Sequence, residues 1–244
     1  MRAEEAKKKM TKRIEVARAP APLEEYANHV DAFFGKSNQR DGFRRSMEGL
    51  LLPSEQQKTL TGVVNTEPVK GAQLPQAQAL QWFLSEANWD ERNIQACRLQ
   101  LLREDPTTAP TPKGVLVIDE TGDCKDGHQT AHVGRQSVGM LGKVDHGVVS
   151  VTSLWADEGV SSPIDVEPYT PAHHVGQGED DPALRTTLQI ALELVHRAHT
   201  QANPFRAIVA DNFYGEDRTL RTGSEHSSWV LCLLSNPLMT GGIG

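Results

Sequence analysis

The sequence predicts an α/β protein with a mixed sheet, preceded by a mainly helical region, and three observations carry the prediction. Apolar residues recur at helical spacing through much of the first hundred residues. Three prolines, Pro106, Pro110 and Pro112, then interrupt the chain within seven residues, which neither a helix interior nor a central strand tolerates. Beyond them, short apolar runs of strand type alternate with helical stretches, the pattern of an α/β domain. The expected organisation is a helical region over 1–105, a Pro-rich linker over 106–113 and a catalytic-type domain over 114–244.

The elements follow in order. Residues 1–10 read as a frayed or helical charged tail (Arg2, Lys7, Lys8, Lys9 with Glu4 and Glu5). Leu23, Tyr26, Val30, Phe33 and Phe34 mark one helix and Phe43, Met47, Leu50 and Leu51 another. Gly35 ends the first and Pro53 bars continuation of the second. Ser54 with Gln57, and Asn88 with Glu91, read as helix-capping pairs. Ile94, Cys97 and Leu101 continue an apolar stripe behind the second pair. Past the linker, Val115–Ile118 reads as a strand buried on both faces and ending in Asp119. The β-branched run Val148–Trp155 reads as another strand. Asp181 to Ala202 is an amphipathic helix with Leu184, Leu188, Ala191, Leu192, Val195 and Ala198 on one side, closed by Pro204. Phe205–Ala210 is a strand ending in Asp211, a short helix spans Glu216 to Arg221, and Trp229–Leu234 is a last strand.

Composition narrows the function classes. No apolar run reaches the roughly 18 residues of a membrane span, so a membrane role is not expected and a cytosolic setting is. Cys97, Cys124 and Cys232 lack the paired spacing of a disulfide framework or zinc ribbon. His128 and His132 are four apart without the glutamate of a zinc helix. His173–His174, His196 and His199 read as surface residues, and Cys124 has no base partner in sight. The net charge of −7 is uneven: residues 1–105 carry 16 basic and 15 acidic side chains, residues 106–244 carry 9 and 17. Phosphate binding depends on local patches, so DNA remains a candidate partner.

Chemistry centres on the two strands that end in an acid. In open α/β sheets the functional crevice lies beyond the carboxyl ends of the strands. If the two strands are neighbours, Asp119 and Asp211 enter one crevice, where carboxylates repel unless a cation holds them. Mg²⁺ (or Mn²⁺) suits one or two carboxylates plus phosphate oxygens, and such a site suits phosphoryl transfer. Each aspartate taken alone reads equally as a helix cap or turn residue.

Ile118-Asp119-Glu120-Thr121-Gly122, Lys125, Gly127, His128, Val133-Gly134-Arg135-Gln136, Gly139, Gly142-Lys143-Val144-Asp145, Pro204-Phe205, Ala210-Asp211 and Tyr214-Gly215 occur in that order. With them the stretch from Val115 to about Leu234 resembles the DDE transposases of bacterial insertion sequences, and Trp89-Asp90 adds to the likeness. The resemblance implies a ribonuclease-H-like catalytic domain with Asp119 and Asp211 as the first two metal-binding carboxylates. It implies attack on phosphodiesters by water and then by a freed 3′-hydroxyl. Arg135 and Lys143 would contact phosphates, and the helical region would bind terminal inverted repeats through Arg40, Arg44 and Arg45. Transposon ends and target DNA are the implied partners, in the bacterial cytosol at the nucleoid, and a homodimer is left open.

The family also needs a later glutamate, and nothing after Trp229 supplies one. Glu216 and Glu225 stand too near Asp211 for the role. The chain is therefore expected to be a truncated, poor or inactive nuclease. A second reading is a non-catalytic protein that occupies transposon ends and inhibits an intact enzyme. A third is an unrelated Mg²⁺ phosphohydrolase of the haloacid-dehalogenase type, against which Asp119-Glu120-Thr121 lacks the second aspartate two places on.

Overall fold

The computed structural model describes residues 21–52, 58–65, 73–125, 127, 130–138, 143–211, 214 and 230–234. The chain divides into two units, Met1–Cys97 and Arg98–Gly244.

In the first unit the apolar repeats become α1 (Ala21–Val30), a 3-10 turn (Asp31–Phe33), α2 (Ser37–Leu51), α3 (Leu60–Val63), α4 (Pro75–Ser85) and the start of α5 (Glu91–Glu104). Ala27 and Val30 of α1 bury against Phe34, Phe43, Leu80 and Phe83. Phe83 stacks on Trp89 at 5.3 Å between ring centroids, and the Trp89 indole N–H donates to the Phe83 carbonyl at 3.0 Å. A buried aromatic of this kind contributes about 1.5–3 kcal/mol by removal from water, so these rings hold the helices together. The α5 cap differs from expectation. Asp90, not Asn88, precedes the helix, and its carboxylate accepts from the Arg92 N–H and the Asn93 amide, both at 2.9 Å. Asn88 instead gives its carbonyl to the Gln39 amide at 2.9 Å. The Ser54–Gln57 pair and the helix expected over Glu216–Arg221 lie outside the described residues.

Asp105 to Gly114 forms turns. The Asp105 carboxylate accepts from the Thr107 N–H at 2.8 Å and its hydroxyl at 2.7 Å, and the Thr108 hydroxyl donates to the Leu102 carbonyl at 2.9 Å. The sheet of the second unit follows: β1 (Val115–Cys124), β2 (Gly134–Val138), β3 (Lys143–Ala156), β4 (Ser161–Pro168), β5 (Ala207–Asp211) and β6 (Val230–Leu234). β3 pairs antiparallel with β1, and with β2 and β4 along successive stretches. β5 lies parallel to β1 and β6 parallel to β5. The crossover from β4 to β5 carries α6 (Thr187–Thr200). An antiparallel set β1-β3-β4, then a helix, then parallel β5 and β6 is the ribonuclease-H-like arrangement that the resemblance implies.

Core packing explains why these strands settle in this register. Leu116 and Ile118 of β1, Val151 and Trp155 of β3, Ile164 of β4 and Ile208 and Ala210 of β5 bury against Ile190, Ala191, Leu194, Val195 and Ala198 of α6. Ala191, Val195 and Ala198 of the expected stripe are buried and Leu188 and Leu192 pack against the core, while Ile190 and Leu194 widen the stripe. The helix also starts six residues later than expected. Asp181 is drawn into a turn, accepting from the Gln177 and Ala183 N–H groups at 2.9 Å, and the cap is Thr186 with Gln189. β1 does not stop at Asp119. It runs on to Cys124 because β3, 14 residues long, pairs with it throughout. β2 and β4 had no sequence signal. β4 contains Pro163, which is tolerated beside the register shift at Ser153/Leu154. Cys97, Cys124 and Cys232 form no disulfide with one another. No helix among the described residues is long and apolar enough to cross a membrane.

Candidate functional site

The parallel pairing of β1 with β5 runs from Val115↔Ala207 to Val117↔Val209. Carried two residues further, the same register sets Asp119 level with Asp211. Strand side chains alternate between faces. Leu116, Ile118, Ile208 and Ala210 point into the core, so Asp119 and Asp211 share the opposite face, and both are exposed. Asp119 Oδ1 accepts from the Glu120 N–H at 2.9 Å, and the Thr152 hydroxyl donates to the Asp119 carbonyl at 3.1 Å. Asp211 Oδ1 accepts from the Tyr214 N–H at 3.4 Å.

Glu120, one place on, is itself exposed but reaches the opposite face, where the buried Tyr214 phenol donates to its Oε1 at 2.9 Å. Burial pushes the Tyr214 phenol well above its ordinary value, and the charges of Glu120, Asp211 and Asp119 push it further. Negative charge thus converges on this end of the sheet. Sequence reading placed Glu120 and Tyr214 within motifs but gave neither a role. The alternation Leu116, Ile118, Glu120 was the available signal.

Two exposed carboxylates on one face of adjacent strands are hard oxygen donors that fit Mg²⁺ or Mn²⁺. Among the described residues no group of three or more His, Cys, Asp or Glu side chains is arranged to hold a metal. The histidines have other partners. His132 Nδ1 is 2.8 Å from the Thr170 hydroxyl, and His173 Nε2 and His174 Nε2 lie 3.1 and 2.7 Å from the Val133 carbonyl. His196 and His199 are exposed on α6, and His128 lies outside the described residues.

Arg135 and Lys143 belong to the second unit, and Arg40, Arg44 and Arg45 to the first. Arg135 is exposed on β2 opposite His146. Lys143 opens β3 opposite Val138, and its side chain is not among those described. On α2, Arg44 is held by Glu24, Asn28 and Asp31 at 2.6–3.1 Å. Its guanidinium lowers the Glu24 and Asp31 carboxyls through those hydrogen bonds, and they in turn raise Arg44. Arg40 donates to the Phe34 carbonyl at 2.9 Å, while Arg45 is exposed. The partners of Arg44 stand 13 to 20 positions away in sequence, too far for helical spacing to reveal.

Residues 29–234 match the family described as DDE superfamily endonuclease. The chain is 31% identical over 194 residues to the probable transposase for insertion sequence element IS701 of Microchaete diplosiphon. That match takes in 80% of this chain and 48% of the relative, so the chain spans about half the length of the relative. Among solved structures, the Drosophila P element transposase strand transfer complex is similar over 96% of this chain and 47% of that one. Its TM-score is 0.32 at 14% identity, a likeness too low to carry an argument.

Proposed function

The chain belongs to the DDE superfamily endonucleases, and from that premise we propose that it serves an insertion-sequence transposase that cuts and joins DNA phosphodiesters, with Asp119 and Asp211 as two of its metal-binding carboxylates. The observation that carries this reading is their placement: level on neighbouring parallel strands, on one exposed face. A divalent cation held there would supply charge neutralisation at the attacking and leaving oxygens. The chain's own residues supply the rest. Asp119, oriented by the Glu120 N–H, and Asp211 present oxygens to the cation. In the first reaction water attacks the phosphodiester at the transposon end, leaving a 3′-hydroxyl on one side and a 5′-phosphate on the other. In the second that hydroxyl attacks a target phosphodiester and displaces the target's own 3′-oxygen.

Arg135 and Lys143 on the β2–β3 hairpin are the phosphate contacts of this reading. On the helical side Arg45 is best placed, because Arg44 would have to leave Glu24 and Asp31 to bind a phosphate. DNA ends and target DNA are the partners, and the bacterial nucleoid is the setting.

A second reading is a chain that binds transposon ends and cuts them poorly. Incubating the protein with supercoiled DNA bearing the terminal repeats and Mn²⁺ separates the two. Nicking abolished by Asp119→Asn and by Asp211→Asn supports the catalytic reading. Retention of the repeat DNA without nicking supports the second, and nicking that survives both substitutions would sink the assignment of the aspartates.

A further inference from the structure

We propose that Tyr214 is a positioning residue, whose phenol, hydrogen-bonded to Glu120, ties the chain three residues after Asp211 to β1 and so holds Asp211 level with Asp119. The inference rests on the reading that these two aspartates hold a divalent cation.

The ladder alone does not fix the pair. Parallel pairing between β1 and β5 ends at Val117↔Val209, two residues short of both acids. Beyond it β1 is supported by β3, and Asp211 is paired on its other side with Leu234 of β6. A direct link across the gap is the Tyr214 hydroxyl to Glu120 Oε1, at 2.9 Å. It joins the residue after Asp119 to the residue three places after Asp211. The link is stiff at its tyrosine end. Tyr214 is 1% exposed and packs in the same cluster as Ile118 and Ala210, the residues preceding the two aspartates. Its backbone N–H faces Asp211 Oδ1. A hydrogen bond to a carboxylate, shielded on one side by the core, is of the stronger kind. Groups that orient metal ligands from behind commonly change metal affinity by about 10- to 100-fold when removed.

The test measures Mn²⁺ binding to the whole chain by the loss of the free-ion paramagnetic resonance signal, together with melting in chelator. Binding that Asp119→Asn removes defines the site. Tyr214→Phe keeps the ring in the core and removes only the hydroxyl, so affinity should fall by about tenfold. Glu120→Gln keeps an oxygen for the phenol and should stay within about twofold of the parent, whereas Glu120→Ala should match Tyr214→Phe. The double variant Tyr214→Phe/Glu120→Ala should be no worse than either single one, as for two ends of one contact.

Unchanged affinity in Tyr214→Phe, with only the melting temperature lowered, overturns the inference in favour of plain packing. Equal losses in Glu120→Gln and Glu120→Ala, with none in Tyr214→Phe, overturn it in favour of the Glu120 charge itself. Should Tyr214→Phe fail to fold, the Gln and Ala pair at Glu120 still decides. No Mn²⁺ binding by the parent that Asp119→Asn removes defeats the metal reading, and this inference with it.

Discussion

Replacing Asp211 by asparagine removes one of two like charges while keeping an oxygen that can still face the Tyr214 N–H. Neighbouring strands lie about 4.8 Å apart, and the register puts Asp119 and Asp211 level on β1 and β5. Two unit charges about 5 Å apart repel by about 0.8 kcal/mol in water and by about 3 kcal/mol at an effective dielectric near 20. Both side chains are exposed, so the lower figure governs. In chelator at low salt, Asp211→Asn should therefore be more stable than the parent by about 1 kcal/mol, about 2–4 °C in Tm for a chain of this size. Added salt should shrink the gain, because exposed charges are screened over a Debye length of about 10 Å at 0.1 M. Saturating Mn²⁺ should reverse the order. A ligand at about 100 times its Kd stabilises the parent by about 2.7 kcal/mol and leaves a variant that cannot bind it unchanged. Urea unfolding with chelator and with Mn²⁺ reads both effects. A variant less stable than the parent in chelator, or one that gains as much from Mn²⁺, would refute the shared site.

Two further outcomes test the scaffold. The Glu24 and Asp31 carboxyls are lowered by Arg44, so their contribution is fully present above their unfolded values and is lost as pH falls through the lowered ones. Arg44→Met should flatten the acid limb of stability, and equal losses in parent and variant between neutral pH and about pH 3 would show that the ion pairs contribute nothing. Gly114 tolerates no side chain, since a Cβ there would stand 2.3 Å from Trp155 Cε2 and Cζ2. The indole cannot easily retreat, being buried and bonded through its N–H to the Pro204 carbonyl at 2.9 Å. Gly114→Ala should cost about 1–3 kcal/mol by urea unfolding, and a loss below about 0.5 kcal/mol would mean that the ring moves freely.

What the sequence disclosed follows from the range of the interactions involved. Val115–Ile118 and Phe205–Ala210 were legible as strands because each is a continuous apolar run, although Val115, Val117 and Val209 prove only half-buried. β2 and β4 were not. Gly134–Val138 is a short polar strand whose one ladder partner among the described residues is β3, and Ser161–Pro168 carries prolines that argue against a strand until the register shift beside Pro163 is known. The length of β1 was misjudged for a related reason. Asp119 is polar and exposed, so it looked like an end, whereas the antiparallel partner Thr152 supports it as well as any core residue. The start of α6 was misplaced because Asp181 and Thr186 are both good capping residues, and only the turn contacts of Asp181 with Gln177 decide between them.

The candidate site shows the same division between local and distant signals. Asp119 and Asp211 could be singled out because each follows an apolar run, a local feature. That they stand level needed the strand pairing, a relation across 92 positions (211 − 119). Glu120 and Tyr214 lie 94 positions apart, and no local pattern predicts that a tyrosine after β5 will bond a glutamate on β1. Strand alternation sets Glu120 in line with Leu116 and Ile118, and its carboxylate, though exposed, lies within reach of a group buried behind β5. The tyrosine beside Asp211 is that group. The residue that looked like an extra acid beside the candidate metal site is exposed as well, but its carboxylate is engaged by the Tyr214 phenol, whereas Asp119 and Asp211 share the opposite face.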